Sequence, residues 1–121
     1  MPSTHDIGKK GEEIAKNYLE KKNYILLDKN WRSGKYGELD LVVKDEKTNE
    51  IVFVEVKTRE TSTKDAKELV TPKKQEKLYK LAKSYLYKHR LKDPACRFDV
   101  IAIRISGDIK ELEHIRNAFY L

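Results

Sequence analysis

The fold turns on GELDLVVKDEKTNEIVFVEVK, residues 37–57. Two apolar runs, 39–43 and 51–56, are separated by the polar segment 44–50, with Thr48 and Asn49 near its tip. That is the pattern of two strands joined by a hairpin. The second run, β-branched or aromatic apart from Glu55, is the strongest strand signal in the chain. Strands ordinarily exclude acids from positions that face other elements, yet these two carry Glu38, Asp40 and Glu55, with Lys57 beside them. Side chains alternate across a strand, so Glu38 shares a face with Asp40 and Glu55 with Lys57. Strands joined by a hairpin lie side by side, and the four groups can converge on one patch.

Around this pair the remaining elements fall into place. Ile7, Gly11, Ile14, Ala15, Tyr18 and Leu19 recur at helical spacing. They predict an amphipathic helix that starts at Ser3 to Asp6, with Ser3 or Asp6 as N-cap, and ends near Lys22. Glu12 lies at the margin of its apolar stripe, and Glu13 faces outward. A short strand is expected over 24–27, then a polar loop over 28–36. A polar loop also follows the hairpin, over 58–70. Thr71-Pro72 is a helix start, with Thr as N-cap and Pro at the first helical position. The helix runs to about Leu91, with Leu78, Leu81, Ala82, Tyr85, Leu86 and His89 inward. Strands over 97–105 and 112–119, with a turn at 106–108, complete the order α-β-β-β-α-β-β, although 112–119 can also be read as helical. The expected class is α/β (α+β), a mixed sheet flanked by helices, in a single domain over 1–121.

The acidic patch has a plain chemical use. Crowded carboxylates repel one another unless a cation intervenes, and hard divalent cations take carboxylate, carbonyl, water and phosphate oxygens. Asp40 and Glu55 are the candidate ligands for Mg²⁺ or Mn²⁺, with the carbonyl of Val56 as a further one. A cation there can acidify a water and polarise a phosphoryl oxygen. Lys57 could orient the water or offset charge at phosphorus. These are the parts of a phosphodiester hydrolase. Glu55-x-Lys57 alone reads more simply as a solvent-facing ion pair of the kind edge strands carry. The selective feature is the joint pattern, Gly37-Glu38-x-Asp40 followed by Glu55-x-Lys57.

Charge points the same way. The 121 residues carry 26 Lys+Arg and 20 Asp+Glu, a net +6. Residues 64–92 hold 10 of the bases and 3 of the acids, so this segment is +7 and the rest is −1. A basic block on a balanced body suits a polyanion such as nucleic acid. On the second helix, Lys73, Lys77, Lys80 and Lys88 fall within about a third of the circumference at 3.6 residues per turn. Lysines with few arginines suit backbone contact rather than base readout. The single cysteine, Cys96, excludes an internal disulfide and a multi-Cys zinc site, and in its apolar stretch it reads as a small buried hydrophobe. No apolar run reaches the roughly 18–20 residues of a membrane span, and the N-terminus lacks a secretory pattern; a cytoplasmic protein is expected. His5, His89 and His114 have no metal or nucleophile spacing. Trp31 and Tyr36 could pack or could contact nucleic acid. Asp99 is either a supporting acid or a surface ion pair.

Asp40…Glu55-x-Lys57 resembles the PD-(D/E)XK signature of the restriction-endonuclease-like superfamily, with Leu39 where the nominal Pro stands. More closely, the stretches GKKGEEIAKNYLEKKNYILLDKNWR, GELDLVV, IVFVEVKTR, VTPKKQEKLYKLAKSYL and RFDVIAI resemble the small bacterial YraN-like family of endonuclease-like proteins. The layout is also similar to archaeal Holliday-junction resolvases. The resemblance implies a restriction-endonuclease-like fold, with Asp40 and Glu55 as metal-binding acids and Lys57 as catalytic lysine. It implies Glu12 as an acid joining the site from the first helix, Glu38 as an extra ligand or supporting group, and Gln75 as a polar position of the second helix. The expected function is Mg²⁺- or Mn²⁺-dependent DNA cleavage, selective for branched or single-stranded DNA. Lys73, Lys74, Lys77, Lys80, Arg59 and Arg32 are the expected DNA contacts, and a homodimer is expected by analogy with resolvases. The alternatives are a non-catalytic DNA-binding module of the same fold and a structural protein whose acids form a charge network with Lys57.

Overall fold

In the computed structural model, which describes residues 4–34, 37–60, 70–92 and 94–119, the elements run α1 (Thr4–Lys21), β1 (Tyr24–Arg32), β2 (Glu38–Asp45), β3 (Ile51–Arg59), α2 (Pro72–Lys88), β4 (Cys96–Ser106) and β5 (Ile109–Ile115). This is the expected α-β-β-β-α-β-β order. The five strands form one mixed sheet in the order β1-β2-β3-β4-β5. Short connections leave β1–β2, β2–β3 and β4–β5 antiparallel, while α2 lies in the crossover that sets β4 parallel to β3. No described helix is long and apolar enough to cross a membrane.

The helices cover opposite faces. Ala15 and Leu19 of α1 pack with Leu41, Val43, Val52, Val54 and Val56. Leu78, Leu81, Ala82 and Tyr85 of α2 pack with Leu39, Val42, Ile51 and Phe53. Residues of β3 therefore alternate between two cores, which is why its apolar run is nearly continuous. Gly11 lets α1 approach β3 closely, since a Cβ at that position would overlap Thr58 Oγ1. Thr71 caps α2 as expected, accepting from the backbone N–H of Lys74 at 3.2 Å, with Pro72 opening the helix.

Several expectations need correction. β1 does not stop at residue 27; it continues to Arg32 through a β-bulge between Leu26 and Asp28. Its second half is polar because β1 is an edge strand with alternate residues in water. β5 forms directly after the turn at Gly107 (φ +59°), earlier than expected, and ends at Ile115. Phe119 lies beyond it and still reaches the core, stacked on Phe98 at 5.0 Å. α2 ends at Lys88, where the N–H of His89 bonds back to Tyr85 O and Arg90 turns to φ +55°. His89 lies at the rim, stacked on Tyr85. Asp6 sits inside the first turn of α1 rather than capping it. Cys96 is exposed, because it opens β4 before the strand enters the core. Ser3, Tyr36 and residues 61–69, where a polar loop is expected, lie outside the described residues.

Asp99 is neither a supporting acid of the site nor a surface ion pair. It is fully buried, bonded to Arg97 (Nε to Oδ1, 3.0 Å) and to His114 (Nε2 to Oδ2, 2.8 Å). Arg97 also donates to Asp45 and Glu50, each at 2.8 Å, and to the Tyr24 hydroxyl at 2.9 Å. Burial works against the guanidinium charge, but Asp99, Asp45 and Glu50 outweigh it and hold the group firmly protonated. This network pins the 44–50 hairpin to the start of β4, at the opposite end of β3 from Glu55.

Candidate metal and phosphate site

The site is built where the sheet opens. The ladder between β2 and β3 runs from Lys44↔Ile51 to Leu41↔Val54. One residue beyond, the Asp40 carboxylate accepts the backbone N–H of Val56 at 2.8 Å. A side chain thus bridges the strands where backbone pairing ends.

The alternation of both neighbouring strands changes at the same level. On β2, Leu39 packs in the α2 core and Leu41 in the α1 core, although they are two residues apart. On β1, Lys29 pairs with Glu13 of α1 at 3.3 Å, whereas Trp31 packs edge-on against Tyr85 of α2, with ring centroids 5.2 Å apart. The residues between are Asp40 and Asn30. The register Lys29↔Leu41 and Trp31↔Leu39 sets them opposite each other. Asn30 makes the change with φ +51°, a left-handed conformation Asn tolerates better than most residues. Its Nδ2 donates to Glu12 Oε1 at 2.9 Å and to Glu38 Oε1 at 3.2 Å.

Three acids from two elements, α1 and β2, meet here. Glu12 from α1, Glu38 and Asp40 from β2 each offer an oxygen, and these oxygens lie within 4.8 Å of one another. Burial pushes Asp40 up to about 8, with the neighbouring Glu55 charge adding to the rise. Glu12 is also raised, chiefly by burial. Three crowded, half-buried carboxylates form a hard, oxygen-only donor set, and a divalent cation would relieve their repulsion; the residues fit one.

Glu55 is buried on β3, next to Asp40 across the opening, and ion-pairs with Lys74 of α2 at 3.8 Å. Lys57 is half-buried and makes no ion pair among the described residues. A cleft of about 530 Å³ is lined by Glu12, Asp40, Glu55, Val56, Lys57 and Arg59. Glu12 and Glu38 also border an adjoining hollow with Asn30 and Arg32. Arg32 is well exposed and sits 3.3 Å from Glu38.

Most of the expected site residues therefore come together: Glu12, Glu38, Asp40, Glu55, Val56 and Lys57. Val56 meets Asp40 through its N–H. Gln75 donates its Nε2–H to the Val70 carbonyl at 3.1 Å. Lys73, Lys77 and Lys80 are exposed on α2, and Lys77 runs against Gly37 at the start of β2. Trp31 packs, between Tyr85 and His89. Two features escaped the sequence reading. One is Asn30, whose only signal is an Asn inside an alternating stretch. The other is the inward turn of Lys74, which sits on the same helix flank as Leu78 and Tyr85.

The profile of UPF0102, an uncharacterised protein family, matches residues 11–103. The chain belongs to the UPF0102 family. A UPF0102 protein of Geobacter metallireducens is 47% identical over 116 residues, covering 95% of this chain and 93% of that protein. One from Geobacter sulfurreducens is 46% identical, covering 95% and 89%. Another from Chlorobium phaeobacteroides is 42% identical, covering 95% and 94%. The YraN-like resemblance is thus borne out as family membership. A solved structure of Pyrococcus furiosus SfsA in complex with Ca²⁺ aligns with 94% of this chain and 64% of that one, at 14% identity and a TM-score of 0.36.

Proposed function

We propose that this UPF0102 protein is a metal-dependent DNA endonuclease of the PD-(D/E)XK type, hydrolysing phosphodiester bonds in branched or single-stranded DNA. The observation that carries the reading is the convergence, at the opening between β2 and β3, of Glu12, Glu38 and Asp40 within 4.8 Å, with Glu55 and Lys57 lining the same cleft. Asp40, Glu12 and Glu38, with Glu55 alongside, would hold Mg²⁺ or Mn²⁺. When bound, such a cation supplies Lewis-acid activation of water and of a phosphoryl oxygen.

The chain's own groups divide the remaining work. Asn30 holds Glu12 and Glu38 in place through one amide nitrogen. The Val56 N–H orients the Asp40 carboxylate. Lys57 presents an ammonium to the cleft, where it offsets charge on the phosphate under attack. Lys73, Lys77 and Lys80 on α2, with Arg59 and Arg32 at the cleft margins, offer cations to the DNA backbone. Contacts of that kind read shape more than sequence.

The test is incubation with flapped, branched, nicked and single-stranded DNA in Mg²⁺, Mn²⁺ or EDTA, beside Asp40→Ala and Lys57→Ala. Cleavage that needs metal and is lost in both variants is expected. Tight binding with no cleavage in any metal would leave a DNA-binding module, and cleavage indifferent to both substitutions would move the site elsewhere.

A further inference from the structure

Lys74 occupies a place that local helix chemistry disfavours. With Thr71 as N-cap and Pro72 first in the helix, Lys74 is the third helical residue. An acid is preferred there: it can complete a capping box, and it faces the positive end of the helix. The first turn of α2 contains no acid, and it holds Lys73 and Lys74 instead. A break of local preference without local compensation marks a position serving something else.

What Lys74 serves is Glu55. The carboxylate is only 7% exposed, and Lys74 supplies its ion pair, at 3.8 Å, with the lysine side chain itself 34% exposed. The first turn of α2 thereby leans over the opening of the sheet from the α2 face. Lys74 reaches β3, while one turn later the Lys77 side chain lies against Gly37 at the head of β2. That residue has φ +104°, and a Cβ there would stand 3.1 Å from Lys77 Cε. Lys74 is thus a tethered cation, partly open to water, on a buried acid of the candidate metal site.

We propose that Lys74 is the resident counter-cation of this site: it neutralises Glu55 while no divalent cation is bound, yields that carboxylate when one enters, and then takes a phosphate oxygen of the DNA. This rests on the metal-site reading above. It links the two ligands of the site, because the group that opposes the cation in the free protein is the group released toward phosphate. Lys57 has no such partner to give up among the described residues.

The experiment has two arms. Mn²⁺ is titrated calorimetrically into DNA-free wild type, Lys74→Met, Lys74→Arg and Asp40→Asn at mildly alkaline pH. A fluorescent flap duplex is then bound to the same proteins in Ca²⁺ and followed by anisotropy. Removing a competing charge next to the ligands should tighten Mn²⁺ binding by roughly five-fold in Lys74→Met, with Lys74→Arg within about two-fold of wild type. Asp40→Asn should lose Mn²⁺ binding. Lys74→Met should bind the duplex more weakly despite holding the cation more tightly. A lysine that merely supports the fold would not move the two affinities in opposite directions. Mn²⁺ affinity unchanged or weaker in Lys74→Met, with Asp40→Asn still silent, would overturn the counter-cation role and leave the metal site standing. Unchanged duplex affinity would overturn the phosphate role. Absence of Mn²⁺ binding by wild type would overturn both readings.

Discussion

Asp40 Oδ2 accepts the backbone N–H of Val56 at 2.8 Å, just past the last ladder pair, Leu41↔Val54. The carboxylate does at the opening what a backbone carbonyl does along the ladder. It does so while buried beside Glu55, which is why it is pushed up to about 8.

That shift has a signed consequence for stability. An Asp starts from 3.8 in the unfolded chain, so between there and about 8 the folded protein holds a proton at Asp40 that the unfolded chain has lost. The group's contribution is present in full below the lower value and disappears as pH rises through the upper one. Asp40→Asn keeps an acceptor for the Val56 N–H and cannot ionise. Its thermal midpoint in metal-free buffer should exceed that of wild type at alkaline pH, with the difference shrinking steadily as pH falls and closing near 3.8. A difference independent of pH would show that the Asp40 charge is not what the fold resists.

Asn30 tests the other side of the cluster. One amide nitrogen serves both Glu12 and Glu38. Asn30→Asp removes that donor and adds a fourth carboxylate, while Asp still tolerates the φ of +51°. Without metal the variant should be less stable by about 1–3 kcal/mol, the usual cost of stranding a half-buried polar group. With Mg²⁺ or Mn²⁺ it should recover more of its midpoint than wild type does. Differential scanning fluorimetry across a metal titration reads both signs. Equal metal-induced shifts in the two proteins would place the cation away from Asn30.

The reading of 37–57 carried furthest because both of its signals are short-range. A continuous apolar run bounded by a polar turn needs no tertiary knowledge, and an acid inside such a run is conspicuous wherever the strand lies. Helical spacing places Glu12 at the margin of the α1 stripe, but only the family resemblance ties it to the site. Other features depended on neighbours that no local window contains. Residues 28–32 look like a loop until β2 pairs with them, and Asp99 reads as either a supporting acid or a surface ion pair until Arg97 and His114 close around it. Strict alternation would have sent Leu39 and Leu41 to the same core. The change of face at Asn30 and Asp40 is set by the pairing of two strands and by one left-handed backbone angle.

Arg97 should bear on stability rather than on the cleft. It is buried and bonded to Asp45, Glu50, Asp99 and Tyr24. Arg97→Met leaves two buried carboxylates, Asp45 and Asp99, without their cation. Breaking a buried pair in this way costs about 3–5 kcal/mol. Chemical denaturation should show a lower midpoint, and Asp99→Asn should lose part of the same amount. Since the network lies at the far end of β3, Mn²⁺ affinity measured well below the unfolding transition should be unaffected. A change in affinity as large as the change in stability would mean that the hairpin end and the opening are coupled.

Gly11 offers a test of how α1 brings Glu12 to the cluster. On helix propensity alone, Gly11→Ala should stabilise an interior helical position by about 1 kcal/mol. Here the added Cβ would overlap Thr58 Oγ1 and crowd Thr58 Cβ and Cγ2. The helix must lift from β3, and overpacking of this kind costs about 1–3 kcal/mol, so the net effect should be destabilising. Because Glu12 is the next residue, lifting the helix also draws its carboxylate away from Glu38 and Asp40, and Mn²⁺ affinity should fall with stability. Thr58→Ala removes Oγ1 and Cγ2, so in the Gly11→Ala background it should restore part of both. A double-mutant cycle read by denaturation and by Mn²⁺ titration measures the coupling. Additive effects would show that α1 and β3 do not touch at this point, and that Glu12 is positioned by Asn30 alone.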